Sequence, residues 1–287
     1  MTKKIDKLPI TNDYIFKRVF SYEGNESVLK DFLEAILDIK INKIEVKNPE
    51  LIKSTKEEKS GILDIKVEID NTTIIDVEMQ MENEYNMEER STTYSGKLIA
   101  GQLQSGEQYS RLKKTVVICI LNFNYFKRNS YHSIAKMKFE KSTKEAYVNM
   151  GYKKEDEIAS KYMEMHFIEL PKFKKKNPDM KARISQWLWL LAGEEEKVEM
   201  AEKENEEVKK AVETLNRISL DPKERERYES IIQAEFNHKI SNQKFFEKGE
   251  KKKQIEIAKK LLSKNIPIDE IIEITDLTKE EVENLSI

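Results

Sequence analysis

The sequence has little of the cysteine and histidine that mark disulfide-stabilised proteins and proteins that bind metal through these residues. Its one cysteine, Cys119, excludes an internal disulfide, and the surrounding apolar run of residues 116–121 predicts a buried, inert thiol. The three histidines, His132, His166 and His238, lie far apart without metal-ligand spacing, so we expect each to be structural or exposed. Zincin, P-loop, nucleophile-elbow and dinucleotide-binding motifs are absent, which argues against those classes of enzyme.

Long hydrophobic runs are also missing. No stretch approaches the roughly 18 apolar residues that a membrane span needs, and no apolar segment follows the first residues. We therefore expect a soluble, cytoplasmic protein in a reducing compartment. Charged residues make up 36% of the 287 residues and apolar ones 38%, so a core is possible beneath a heavily charged surface. Because the formal net charge is −2, any surface that binds a polyanion must be a local patch.

Residues 61–80 hold two segments in which apolar and mostly acidic residues alternate. The alternation has period two and is rich in β-branched residues, which predicts two strands joined by a turn at residues 70–72. Like charges that face each other destabilise a sheet, so a bound cation is one explanation of the acidic face. The alternative is an acidic hairpin face that is simply solvated.

The length of the turn decides whether two acids of this hairpin share a face. A two-residue turn would pair Asp64 with Met79 and place Asp64 and Glu78 on opposite faces. A three-residue turn places Asp64 across from Glu78, and Asn71 tolerates the left-handed conformation that such turns need. We predict the odd-length turn, or an equivalent bulge.

The rest of the chain predicts an α/β arrangement followed by helices. Helical spacing is found at residues 12–20, 26–37, 90–106, 178–192, 194–210, 223–239, 243–264, 268–275 and 278–285, and strand patterns at 41–46, 115–122, 131–139 and 163–170. The continuous apolar run at 115–122 is typical of a central strand covered on both faces. We divide the chain into domains at 1–192, 193–242 and 243–287, the last resembling a helix-turn-helix or a small dimerisation unit.

Asp64, followed on the next strand by Glu78, Met79 and Gln80, resembles the PD-(D/E)XK nuclease pattern. Gln80 replaces the usual lysine, as in the Rpn group of recombination-promoting nucleases, also called PD-(D/E)XK family transposases. Residues 12–20, 29–37, 90–109 and 271–285 are similar to that family as well. The resemblance covers most of the chain, although residues 125–250 match loosely.

The resemblance implies a restriction-endonuclease-like αβββαβ core, with a mixed sheet flanked by helices and an all-helical C-terminal region. It implies a Mg²⁺ or Mn²⁺ ion held by Asp64, Glu78 and the main-chain carbonyl of Met79. Gln80 would orient water or a phosphate oxygen, although its neutral amide cannot replace a lysine's charge. Asp13 would assist as a third acid or a supporting group. Glu34 is a rival for that role, whereas Glu68 and Asp76 are expected at the rim.

Four basic residues are candidates for contacts with nucleic acid: Lys17, Arg90, and Lys174 and Lys175 in the basic run of residues 172–176. Each has the alternative of being a solvated surface charge. Trp187 and Trp189 are expected to pack in the core.

The resemblance implies a metal-dependent endonuclease for double-stranded DNA, linked to recombination or mobile elements. One alternative is a non-catalytic module that keeps the fold and binds nucleic acid or protein. Another is a nuclease that acts on RNA or in phage defence. We expect a homodimer formed through the C-terminal helices.

Overall fold

The computed structural model describes residues 6–47, 65–138 and 158–285. The chain divides into two compact units, Met1–Arg225 and Glu226–Ile287. In chain order the elements are α1 (Asp13–Phe20), α2 (Glu26–Leu37), β1 (Ile44–Val46), β2 (Ile65–Ile69), β3 (Thr73–Gln80), α3 (Met87–Ala100), β4 (Lys114–Leu121), β5 (His132–Lys138), β6 (Ile158–Glu169), α4 (Leu170–Lys176), α5 (Arg183–Ala192), α6 (Glu195–Glu204), α7 (Glu206–Leu220), α8 (Pro222–Leu262), α9 (Ile268–Thr275) and α10 (Lys279–Glu283).

A six-stranded mixed sheet in the order β1-β2-β3-β4-β6-β5 forms the centre of the first unit. The strands β3, β4 and β6 are parallel, whereas β1, β2 and β5 pair antiparallel with their neighbours. The predicted central strand is confirmed, because every residue from Val116 to Leu121 is buried. The α/β arrangement with a helical C-terminal region is confirmed as well.

The β2–β3 hairpin has the predicted odd-length connection. Ile69 pairs with Thr73, so three residues form the turn. Within that turn Asp70 and Asn71 are left-handed, with φ of 50° and 56°. This register places Glu68 on the same sheet face as Asp76 and Glu78. Asp64 itself lies outside the described residues.

Helix α3 covers the sheet face that carries Glu78. Two of its side chains, Met87 and Leu98, pack with residues of β3, β4 and β6 in one cluster, whose other buried members are Ile74, Val117, Cys119, Leu121 and Phe167. Cys119 is fully buried, as predicted. The hydrophobic packing therefore fixes α3 above β3 and β4.

Aromatic side chains join α1, α2 and α5. The ring centroids of Phe20 and Phe32 lie 4.6 Å apart, and those of Phe32 and Trp187 lie 5.4 Å apart. Trp187 and Trp189 are both buried, so the prediction that they pack in the core is confirmed. Burial of large aromatic surface is a major source of stability, and it holds α1 in place.

Several predicted helix boundaries are wrong. Helix α3 ends at Ala100 rather than near residue 106. The predicted helix at 194–210 is two helices, because the side chain of Asn205 caps α7 by accepting from the backbone N–H groups of Glu207 and Val208. The predicted helices at 223–239 and 243–264 are one continuous helix, since neither Pro nor Gly interrupts residues 239–243.

The second unit has a small core between the end of α8 and the helices α9 and α10. Its buried members are Ala258, Ile271, Leu277 and Val282. A capping box starts α10, because Thr278 and Glu281 satisfy each other's backbone N–H groups. In the described ranges, none of the helices combines the length and apolar character needed to cross a bilayer.

Two histidines that are distant in sequence meet on β5 and β6. His132 Nε2 lies 2.9 Å from His166 Nδ1, and His166 Nε2 lies 2.7 Å from Glu164 Oε1. Burial, reinforced by His166, lowers the pKa of His132 to about 4. The hydrogen bond from His166 and the Lys114 ammonium lower the pKa of Glu164, although burial acts to raise it. The two histidines are thus structural, as expected.

The lowered pKa of His132 predicts a pH-dependent stability. The unfolded chain binds a proton at His132 below about pH 6.5, whereas the folded chain keeps this imidazole neutral down to about pH 4. The stability that comes from keeping His132 neutral is complete above pH 6.5 and is lost as the pH falls towards 4. In urea unfolding between pH 6.5 and pH 4, we expect the free energy of unfolding of His132→Gln to fall by about 1–3 kcal/mol less than that of the wild type. This range is discounted for partial exposure of the imidazole.

The matched control is His238→Gln, because His238 is exposed on α8. Its profile between pH 4 and 7 should follow the wild type. Identical profiles for His132→Gln and the wild type would contradict the assignment.

Candidate active site

Glu78 lies in the C-terminal half of β3 with 3% of its surface exposed. The next residue on the same face, Gln80, is half-buried at the end of the strand. Its Nε2 donates a hydrogen bond to Glu78 Oε2 at 3.2 Å. The Glu78 carboxylate, a ligand type that hard divalent cations prefer, thus lies beside the amide nitrogen of Gln80.

Arg90 comes to Glu78 from α3. Its Nη2 donates to the Tyr94 hydroxyl at 3.1 Å and its Nη1 to Glu84 Oε2 at 3.2 Å. Burial is the largest single influence on the pKa of Arg90 and acts to lower it, but the phenol of Tyr94 and the charges of Glu78 and Glu84 together raise it. Its side chain keeps 29% exposure, so the guanidinium joins the site and also reaches solvent.

The other residues expected at the site take different places. Asp13 is half-buried in the first turn of α1, a helix that contacts β3. Met79 turns its buried side chain to the opposite face, and it pairs with Ile120 in the ladder to β4. Asp64 lies outside the described residues. The described structure therefore brings together Glu78, Gln80 and Arg90.

Among the expected nucleic-acid contacts, Lys17 differs sharply in exposure from Lys174 and Lys175. Lys17 is 1% exposed, so its alternative as a solvated helix charge is wrong. Lys174 is exposed, as is Lys175, in the last turn of α4. This basic run is helical because Pro171 occupies the first turn, where its missing N–H group costs no hydrogen bond.

Glu34 has a role in holding the fold together. Its Oε1 accepts from the backbone N–H of Ile41 at 2.8 Å, and its Oε2 lies 3.2 Å from Arg183. Both oxygens therefore join α2 to other segments. Nothing in these contacts directs Glu34 to Glu78.

The acidic face of the hairpin is buried, which corrects two expectations. Glu68 and Asp76 are 8% and 4% exposed, so neither is a rim residue. Glu68 binds the ammonium groups of Lys113 and Lys47. The hydrogen bond from Lys113, with that from Lys47, lowers the pKa of Glu68 against the raising effect of burial. The alternative of a simply solvated acidic hairpin is therefore wrong for these residues.

The described residues alone do not make a complete metal centre. Within them, no group of three His, Cys, Asp or Glu side chains has the arrangement of a metal site. Glu78 supplies one carboxylate, and Gln80 meets it through its amide nitrogen. A carboxylate suits a hard cation, and Asp64, the second carboxylate expected from the sequence, lies outside the described residues.

The model of the PD-(D/E)XK nuclease family transposases matches residues 10–244. The chain belongs to this family. The match spans the sheet, Glu78 and α3, so the predicted family and the restriction-endonuclease-like fold are confirmed. PD-(D/E)XK nucleases typically use divalent metal ions. No curated protein and no solved structure gives a significant match to the chain.

The support that Tyr94 gives to Arg90 was missed from the sequence. The two residues are four apart on α3, so their side chains are neighbours on one helix face. The Arg90 guanidinium carbon also lies 5.8 Å from the Tyr94 ring centroid. The i, i+4 spacing of the two residues is the signal that the sequence offers for this contact.

The position of Arg90 near the buried Glu78 predicts a measurable effect on stability. We expect Arg90→Met to lower the free energy of unfolding by about 1–3 kcal/mol, because the buried Glu78 loses a neighbouring positive charge. Urea unfolding in EDTA measures this.

The matched control is Arg111→Met. Arg111 is 68% exposed and pairs with Glu107 on the surface, so its loss should change stability by no more than about 0.5 kcal/mol. Equal losses for both variants would contradict a charge interaction between Arg90 and Glu78.

Proposed function

We propose that this family member is a Mg²⁺- or Mn²⁺-dependent endonuclease of the Rpn type that cleaves double-stranded DNA in recombination or the movement of mobile elements. The observation that carries the proposal is the buried Glu78 carboxylate beside Gln80 and Arg90 on a sheet of the PD-(D/E)XK nuclease family. Burial of Glu78 in low dielectric strengthens the electrostatic effect of its carboxylate.

Asp64, Glu78 and the main-chain carbonyl of Met79 would hold the ion. Bound there, the metal would neutralise charge on the phosphate and lower the pKa of a water molecule. Support for this donor set comes from the hairpin register, which keeps even-numbered residues of β2 and β3 on one face. Asp13 would act from the first turn of α1 as a supporting acid.

Arg90 supplies the positive charge that Gln80 lacks. The amide of Gln80 can donate to a phosphate oxygen or accept from a water molecule, but it cannot carry charge. The Arg90 guanidinium is partly exposed and suits a bidentate contact with phosphate. Lys174 and Lys175 would contact the backbone farther out, whereas the burial of Lys17 favours a positioning role.

Self-association through α8 is the second part of the proposal. Four exposed apolar residues, Ile232, Phe236, Ile240 and Phe246, fall within about 120° around the helix. Residues 226–238 contain three glutamates and one arginine, whereas residues 239–253 contain six lysines and two glutamates. Two copies of α8 in antiparallel contact would bring opposite charges together, so we propose a second copy as the occupant of this stripe.

The homodimer predicts a change in mass when the stripe is disrupted. We expect Phe236→Glu combined with Ile240→Glu to give a monomer by size-exclusion chromatography with light scattering, because buried charges would oppose the apolar contact. Phe245→Glu is the control, since Phe245 is 71% exposed but lies about 100° away from Phe246. A monomeric wild type, or a double variant that stays dimeric, would refute the proposal.

The nuclease proposal predicts metal-dependent cleavage that requires Glu78. In a plasmid-nicking assay we expect activity with Mg²⁺ or Mn²⁺, none in EDTA, and at least about a 100-fold loss in Glu78→Gln. Glu88→Gln is the control, because Glu88 is an exposed residue of α3. Urea unfolding would first establish that each variant is folded.

Three results would change the proposal in different ways. Undiminished cleavage by Glu78→Gln would remove the site assignment. Cleavage of RNA but not of duplex DNA would keep the site and replace the target. A folded wild type that cleaves neither with any metal would favour the non-catalytic module, for which the neutral Gln80 is the supporting feature.

A further inference from the structure

A polar cleft lies at the other end of the sheet from Gln80, where β3, β4 and β6 begin or approach one another. Its volume is about 530 Å³. The turn before β3, the segment before β4, and residues of β5 and β6 line it. Thr73 lies five residues before Glu78, so this cleft is about 17 Å along the strand from the candidate active site.

The lining of this cleft is strongly basic. Five cations line it, Arg111, Lys113, Lys114, Lys136 and Lys161, with Glu164 as the acid among the lining residues. This concentration of lysine and arginine is notable in a chain with a net charge of −2. A local basic patch of this kind attracts polyanions despite the overall charge.

Glu164 holds two of these cations in place and neutralises only one charge. Its Oε2 lies 2.9 Å from Lys114 Nζ and 3.2 Å from Lys136 Nζ. His166 binds the other carboxylate oxygen at 2.7 Å. The carboxylate is thus occupied on both oxygens, and it fixes the positions of two ammonium groups at the wall of the cleft.

The remaining cations leave a positive excess. Lys113 pairs with Glu68, and Arg111 pairs with Glu107. Lys161 is exposed, and its ammonium lies 5.6 Å from the Tyr162 ring centroid. The five cations therefore contact three acids in the described part of the chain, and Arg111 and Lys161 reach solvent.

The neutral groups of the lining also suit phosphate oxygens. Hydroxyl and amide donors alternate with the cations, and they are Asn71, Thr72, Thr73, Ser110 and Ser160. Such donors, together with Lys and Arg, make most contacts to the phosphates and sugars of nucleic acids. Tyr162 is the one aromatic residue in the lining, so the lining favours the backbone over stacked bases.

We propose that this cleft binds the sugar-phosphate backbone of nucleic acid, as a second contact surface separate from Glu78. The cations lie on several elements around an open cleft, which suits an extended polyanion better than a single phosphate ion. The inference takes its ligand class from the proposed function but does not require cleavage. It can therefore be tested without a metal ion.

The experiment is fluorescence anisotropy with a labelled 20-base-pair duplex in EDTA over a series of salt concentrations. The test variant is Arg111→Glu combined with Lys161→Glu, because these side chains lie at the solvent side and their loss leaves the Glu164 contacts intact. Each lost phosphate contact reduces the magnitude of the negative slope of log K against log salt concentration by about 0.9. For the cleft variant we expect the magnitude of this slope to fall by about 2, and the affinity for the duplex near 0.15 M salt to fall about 30-fold.

The matched control is Lys209→Glu combined with Lys210→Glu, which reverses two exposed lysines on α7. Its salt slope should equal that of the wild type. Equal slopes for the cleft variant and the wild type would overturn the proposal. So would saturable binding of inorganic phosphate that the cleft variant loses while its duplex binding is unchanged.

The same proteins separate this inference from the nuclease proposal. A wild type that cleaves nothing, but whose duplex binding depends on Arg111 and Lys161, would keep the cleft and remove the nuclease. If the wild type cleaves DNA and the cleft variant has the same salt slope as the wild type, the nuclease proposal would stand and the cleft would be removed.

Discussion

The arrangement of the site depends on the register of the β2–β3 hairpin. Three residues separate Ile69 from Thr73, so Glu68, Asp76 and Glu78 share one sheet face. A connection one residue shorter would move β2's polar set to the opposite face, where Val67 and Ile75 now pack. Apolar burial on one face and paired charges on the other therefore require the same register.

Buried acids in this fold are matched by cations, some from distant segments and some from the same stretch of chain. Glu224 accepts from Arg18 and from the hydroxyl of Tyr14, and Glu169 binds Lys172 at 2.6 Å. Removing one partner of such a pair leaves an uncompensated charge, which costs several kcal/mol. The Glu78–Arg90 neighbourhood obeys the same rule, but there the cation keeps access to solvent and so remains available to a ligand.

Local patterns predicted the parts of the structure that depend on nearby residues. The hairpin, its odd turn, α1 and α2 followed from alternation, turn formers and helical spacing. The burial of Glu68 could not be predicted in this way, because its partner Lys113 comes from the segment before β4. The contact between His132 and His166 requires the pairing of β5 with β6, and the sequence does not specify that register.

The continuity of α8 shows a different limit of sequence patterns. The weak apolar periodicity at residues 239–243 predicts a break between two helices, and that prediction is wrong. The helix continues because these residues include neither Pro nor Gly. The residues of the basic cleft are spread over four segments with ordinary local spacing. Their charges become one surface only after the parallel strands are aligned.

Cys119 gives the molecule a natural reporter of its own opening. It is the sole cysteine, it is fully buried, and it pairs in register with Glu78 on the face that α3 covers. A thiol reagent can reach it only when the packing between α3 and the sheet is disrupted. The rate of its modification under native conditions therefore measures how often the layer above Glu78 separates, without any introduced probe.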